Sequence, residues 1–151
     1  MSNLEGLSEI NAGPGLMSDV DAALDQVCRQ PPVLAVVDDD PAVRHALSFA
    51  FETAGIPVVT FADAEMALAS PQQHQWRCLI LDQKLPRMSG LDLLARLRAA
   101  GVTAPGILIT THPSHITRAR ASAAGVEIIE KPLLDDKLAL KVRELMDGVP
   151  R

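Results

Sequence analysis

Five short, mostly aliphatic runs, each followed by a stretch with helical spacing, constrain this chain more than any other feature. They are Val33–Val37, Ile56–Phe61, Cys78–Leu81, Gly106–Ile109 and Val126–Ile129. Runs of this kind without strict polar alternation predict strands buried on both faces. Between and after them the apolar period lengthens. Asp40 offers a helix cap with Pro41 behind it, Val43, Leu47, Ala50, Phe51 and Ala54 share one face, and Gly55 stops the run. A short helix is expected over Ala62–Ser70, and Leu91, Leu94 and Leu97 point inward before Gly101. A fourth helix is expected over Ser114–Ala124, and Leu134, Leu138, Val142, Leu145 and Met146 line a last one. Strands alternating with helices predict an α/β fold: a doubly wound, five-stranded parallel sheet with helices on both faces.

The flanks and the composition narrow the function classes. Asn11-Ala-Gly-Pro-Gly15 and Gln30-Pro-Pro32 bracket a segment in which Leu16, Met17, Val20, Leu24 and Val27 recur at helical spacing. The expected layout is an N-terminal extension with a short amphipathic helix (1–32), a main domain (33–147) and a tail (148–151). That helix either packs on its own domain or meets a partner. Residues 1–32 carry five acids against Arg29 alone, a net −4 within a chain total of −5. No Lys/Arg stripe appears and the aromatics number four, three Phe and one Trp. Clustered positive charge and stacking rings mark nucleic-acid surfaces, so no nucleic acid is expected as a partner. No run reaches the roughly 18 apolar residues of a membrane span, and Met1–Ile10 has no secretory pattern. Cys28 and Cys78 read as free thiols, and the expected location is cytoplasmic.

In open α/β sheets, ligands bind outside the carboxyl ends of the strands. Here the first strand is followed by Asp38, Asp39 and Asp40, the third by Asp82, the fourth by Thr110 and Thr111, the fifth by Glu130, Lys131 and Pro132. Carboxylates brought that close repel one another unless a cation intervenes, and Mg²⁺ prefers oxygen ligands. A metal, an ammonium and a hydroxyl around a carboxylate suit phosphoryl transfer to an aspartate. An Asp triplet after a strand also serves as a plain capped turn, and a lone Lys-Pro as a turn.

Four pieces carry a resemblance: Val36-Val-Asp-Asp-Asp-Pro-Ala-Val-Arg44, Leu79-Ile-Leu-Asp-Gln-Lys-Leu-Pro-Arg-Met-Ser-Gly90, Ile107-Leu-Ile-Thr-Thr-His112 and Ile128-Ile-Glu-Lys-Pro132. Over residues 33–147 the chain resembles the receiver domain of bacterial two-component response regulators, closest in flavour to nitrogen-fixation-type regulators. The resemblance implies a flavodoxin-like strand order, 2-1-3-4-5. It implies Asp82 as phosphoacceptor, fed by a sensor histidine kinase or a histidine phosphotransfer protein. It implies Mg²⁺ on Asp39, Asp82 and the backbone carbonyl of Lys84, with Asp38 acting through a bound water. Thr110 would be the switch hydroxyl and Lys131 the phosphoryl partner. Pro132 would follow a cis bond that orients Lys131, and Gly90 would let the loop after Asp82 turn tightly.

Two positions depart from the family pattern. Ile128 stands where receivers usually carry Tyr or Phe, and a branched aliphatic has no polar tip to move inward or outward. Thr111 stands where Ala or Gly is common and is expected to narrow the approach to Asp82. His112, two residues beyond Thr110, is either a solvated loop histidine or an influence on attacking water. Arg118 and Arg120 read as a solvated face that partners can meet. Trp76 is expected about two residues before the third strand.

The last helix runs to Met146 and the chain ends at Arg151. The expected function is therefore a single-domain response regulator, not an enzyme, that signals by protein contact or relays phosphate. Its expected contact surface is the fourth helix, fifth strand and fifth helix, with a homodimer among its uses. One alternative is a phosphorylation-independent pseudo-receiver, supported by Ile128. Another is an aspartate-nucleophile phosphatase using Asp38 and Asp40, which leaves Asp82 unexplained. A flavin module fits less well, since the acids after strand one repel a flavin phosphate.

Overall fold

A computed structural model describes residues 32–133 and 136–147 of the 151-residue chain. The N-terminal helix, Cys28, Leu134 and the tail at 148–151 fall outside the described residues. The element order is β1 (Val33–Val37), α1 (Pro41–Thr53), β2 (Val58–Phe61), α2 (Ala64–Leu68), a 3₁₀ turn (Gln73–Gln75), β3 (Trp76–Asp82), α3 (Gly90–Ala99), β4 (Gly106–Thr110), α4 (His115–Ala123), β5 (Glu127–Glu130) and α5 (Lys137–Asp147). All strand pairs are parallel, and the sheet order is β2-β1-β3-β4-β5.

Period-two alternation assigns each strand residue to one of two cores. Leu34, Val36, Cys78, Ile80, Ile107 and Ile109 pack with Leu47 and Phe51 of α1 and Leu138, Val142 and Met146 of α5. Ala35, Val37, Leu79, Leu81 and Leu108 face the other way, onto Ala64 and Ala67 of α2, Leu91, Leu93, Leu94 and Leu97 of α3, and Ala121 of α4. Both faces are covered, as the continuous apolar runs predict. Among the described residues no helix is long and apolar enough to cross a membrane.

The helix starts follow their caps. Asp40 Oδ1 accepts from the Ala42 amide at 2.9 Å with Pro41 at the first position. Asp63 caps α2, and Ser89 with Asp92 forms a reciprocal capping box on α3. Several expected boundaries shift. Strand β2 begins at Val58 instead of Ile56, because the Ile56 amide closes α1 on the Phe51 carbonyl and Pro57 has no amide for the ladder. Helix α2 spans only Ala64–Leu68, since the Asp63 cap fixes its start and Gln73 Nε2 takes the Ala67 and Leu68 carbonyls.

Trp76 is the first residue of β3, not a residue before it. The β1–β3 register slips between Val33 and Leu34, which pair with Trp76 and Cys78, leaving Arg77 as the extra residue. That bulge moves Trp76 to the face of Leu79 and Leu81, where its ring lies 5.5 Å from that of Phe61. A period-two reading of the sequence has no means of seeing the slip.

Candidate functional site

The strand ends place the chemistry. At the carboxyl end of the sheet, Asp38 follows β1, Asp82 ends β3, Thr110 ends β4 and Lys131 follows β5. Asp38, Asp82 and Thr110 are the buried polar residues of the described chain, at 0%, 4% and 2% exposure. Asp39, beside them, is exposed. One carboxylate oxygen from each of Asp38, Asp39 and Asp82 lies within 4.8 Å of the others. Lys131 Nζ sits 3.0 Å from Asp38 Oδ2 and 3.4 Å from Asp82 Oδ1.

Three carboxylates against one ammonium leave the site electrostatically short of positive charge. Burial, followed by the neighbouring Asp38 charge, pushes the Asp82 carboxyl up to about 6, and Lys131 only partly opposes this. Burial pulls Lys131 down, yet its contacts with Asp38 and Asp82 outweigh that and leave it raised. Asp38 Oδ1 accepts from the Asp40 amide at 2.9 Å. Its Oδ2, although near Lys131, receives no hydrogen bond of acceptable geometry. A buried carboxylate oxygen in that condition is costly. The orphaned oxygen and the three converging carboxylates fit a small, hard divalent cation.

The loop after β3 wraps Asp82. The Lys84 amide donates to Asp82 Oδ1 at 3.3 Å, and Lys84 forms an isolated antiparallel bridge with Ser89. Gly90, expected to let this loop turn tightly, is the first residue of α3 and has no left-handed φ. Its need for glycine is close approach, since a Cβ there would lie 2.5 Å from the Asp82 carbonyl oxygen. The left-handed residue of this loop is Arg87, with φ 69°. The Lys131–Pro132 peptide is cis.

These strand ends coincide with a known family. The family described as the response regulator receiver domain matches residues 34–143. The chain belongs to the response-regulator receiver family. The transcriptional regulatory protein FixJ of Bradyrhizobium diazoefficiens is 32% identical over 108 residues, 71% of this chain and 53% of its own length. The chain spans about half the length of the curated relatives it matches. A CheY-like receiver domain protein from Methanospirillum hungatei superposes with a TM-score of 0.72 at 27% identity, covering 78% of this chain and 95% of that one. The Thermotoga maritima response regulator TrrA, solved with Mg²⁺–BeF, matches with a TM-score of 0.65 at 29% identity, covering 76% and 98%. The receiver fold and a place in two-component signalling are thereby shown.

Within this receiver domain, the structure brings together Asp38, Asp39, Asp82, Thr110, Lys131 and the loop carrying Lys84. Thr111 is exposed, and it lines an apolar cavity of 690 Å³ with Lys131, Pro132, Leu133 and the α1 residues Ala42, Val43, Ala46, Leu47 and Ala50. His112 is exposed and left-handed at φ 50°. Ile128 is half-buried against the α2–α3–α4 core. Arg118 and Arg120 are exposed, as expected of a solvated face, and each also holds a surface ion pair: Arg118 with Glu130 at 2.8 Å and Arg120 with Asp92 of α3 at 3.0 Å.

Three residues beside the site escaped the sequence reading. Arg44 Nη1, on α1, donates to the Asp38 carbonyl at 2.8 Å. Gln83 Oε1 accepts from the Leu91 amide at 3.1 Å, satisfying one free amide of the α3 amino end. Arg87 reaches α2, bonding Glu65 twice, at 3.1 and 3.0 Å. The i to i+6 offset of Arg44 from Asp38, spanning a capped helix start, was the one signal that could have found any of them.

Proposed function

We propose that this receiver domain accepts a phosphoryl group on Asp82 from a phosphohistidine of a sensor kinase or phosphotransfer protein, and passes on its state through protein contact or as a phosphate relay. The observation that carries the reading is the convergence, from different strand ends, of buried Asp38, Asp82 and Thr110 with exposed Asp39 and half-buried Lys131. The reading treats 33–147 as the phosphoacceptor domain, 1–32 as an extension and 148–151 as a tail, in a reducing cytoplasm that keeps Cys78 a thiol.

Asp82 attacks phosphorus, an oxygen–phosphorus bond forms, and the phosphorus–nitrogen bond to the donor imidazole breaks, with the imidazole leaving as it takes up a proton. Asp39, Asp82 and the Lys84 carbonyl, with Asp38 through water, would hold Mg²⁺, whose charge offsets the repulsion between carboxylate and phosphoryl oxygens. Lys131 contributes a point charge to one phosphoryl oxygen, and the Thr110 hydroxyl donates to another. Burial makes these contacts count, since charges interact more strongly away from bulk water. The apolar cavity beside Lys131 is where we place the donor protein, against α1 and the loops after β4 and β5.

A phosphate-affinity gel tests this. Incubated with a phosphorylated histidine kinase and Mg²⁺, the wild type gives a shifted band that Asp82→Asn lacks. A shift that persists in Asp82→Asn sinks the assignment. Absence of any shift across a panel of kinases favours the pseudo-receiver, whose supporting observation is Ile128. Loss of turnover of a phosphomonoester in Asp38→Asn points instead to a phosphatase.

A further inference from the structure

The loop from Gln83 to Ser89 is closed at its base by the Lys84–Ser89 bridge, and Leu85 and Met88 pack into the α2–α3–α4 core. Arg87 stands near its tip. Its φ of 69° falls in the left-handed region, which a long side chain enters only at a cost that glycine would avoid. Elsewhere the chain gives left-handed positions after helices to glycine, at Gly55, Gly101 and Gly125. A strained residue persists where its side chain makes a compensating contact.

Arg87 makes such a contact with α2. The Arg87 guanidinium forms a two-pronged bond with Glu65, Nε to Oε2 at 3.1 Å and Nη2 to Oε1 at 3.0 Å, and Nη2 lies 3.5 Å from Asp63 Oδ2. Two parallel N–H···O bonds fix orientation as well as distance. The far end is itself anchored, because Asp63 Oδ1 caps α2 by accepting from the Met66 amide at 2.8 Å. The Arg87 hydrogen bonds hold Glu65 below the usual carboxylate range, so it stays ionised.

We propose that Arg87 is a positioning residue for the cation site: clamped to Glu65 and Asp63, it holds the loop after β3 in the shape that presents the Lys84 carbonyl next to Asp82. The inference rests on the reading above that Lys84 supplies a metal ligand. Arg87 itself touches neither the cation nor the phosphoryl group.

Simple electrostatics makes the opposite forecast for one of two variants, which separates the ideas. Removing a positive charge near an acidic site strengthens cation binding, and removing a negative one weakens it. Loss of a clamp weakens binding in both cases. The experiment is a Mg²⁺ titration followed by backbone amide NMR shifts, on wild type, Arg87→Asn and Glu65→Gln, with urea unfolding of each metal-free protein. Asparagine tolerates the left-handed backbone, so Arg87→Asn keeps the loop geometry accessible while losing the fork. The expected result is Mg²⁺ binding weakened about threefold in both variants, the scale of a favourable exposed ion pair, with metal-free stability little changed. Tighter binding in Arg87→Asn, or unchanged binding in both, overturns the proposal. Asp39→Asn serves as the control for the site itself: if it still binds Mg²⁺ like wild type, the reading of the cation site fails and this inference falls with it.

Discussion

Strand β3 is buried at both ends, and burial does opposite things there. At its start Trp76, 4% exposed, fills a space against Phe61, so removal from water stabilises the fold. At its end Asp82, also 4% exposed, carries a charge into the same low-dielectric interior, facing Asp38. The contrast teaches that the sheet is a stable platform bearing a strained rim. The apolar layers supply the stability that lets the carboxyl edge hold like charges together.

The comparison breaks most visibly at the stable end. Trp76→Ala should cost ~3–5 kcal/mol in urea unfolding, as expected for truncating a buried aromatic. A loss below about 1 kcal/mol would mean that the bulge collapses onto the space and the platform is softer than described. Gly90→Ala sits where the two regions meet, since its new Cβ would press on the Asp82 carbonyl and Leu108. It should cost about 1–3 kcal/mol and weaken Mg²⁺ binding, because the Asp82 backbone has to move.

At the rim the sign reverses. Asp82→Asn should stabilise the metal-free protein, by an amount on the order of 1 kcal/mol at neutral pH, a few degrees in Tm. The pH dependence follows from the acid's shift from 3.8 up to about 6 in the folded state. Between those values the folded form holds a proton that the unfolded form has lost, so wild-type stability falls as pH rises through this window. The advantage of Asp82→Asn is therefore absent below about pH 4 and complete above about pH 6. Adding Mg²⁺ should raise the Tm of wild type and not of the variant. A destabilised Asp82→Asn at pH 7 would show that Lys131 already balances the site.

The smallest effect is a null. Six residues of strand at ~3.3 Å each put Trp76 roughly 20 Å from Asp82. Mg²⁺ should leave its fluorescence unchanged to within a few per cent, and a strong quench would show that the rim and the base of β3 are mechanically linked.

Cys78 belongs to the platform by the same test. Burial pushes its thiol up to about 12, consistent with the small core residue expected from its place inside a strand. Arg118 and Arg120 lie on the exposed face expected of them, and the sequence reading missed only their ion pairs. Their partners, Glu130 and Asp92, sit 12 and 28 residues away, and no local pattern marks such pairs.

What the chain determines by itself is what depends on neighbours along the backbone. The alternation of strand and helix, the faces of β1 and β3, the Asp40 cap and the acids at strand ends are local consequences of side-chain period and capping chemistry, and the Thr-Thr and Lys-Pro pairs mark the other strand ends. The motif resemblance supplied the strand order, and the residue roles it implies are the proposal made above. What only the tertiary structure decided depends on distances across the sheet. The bulge at Arg77 is defined by the register with β1, and the Gly90 contact by how closely α3 approaches β3. The orphaned Asp38 oxygen follows from how deeply the site is buried, and the Arg87–Glu65 clamp from α2 lying within reach of the loop. None of these follows from period or propensity, because each is set by packing between segments the chain keeps far apart.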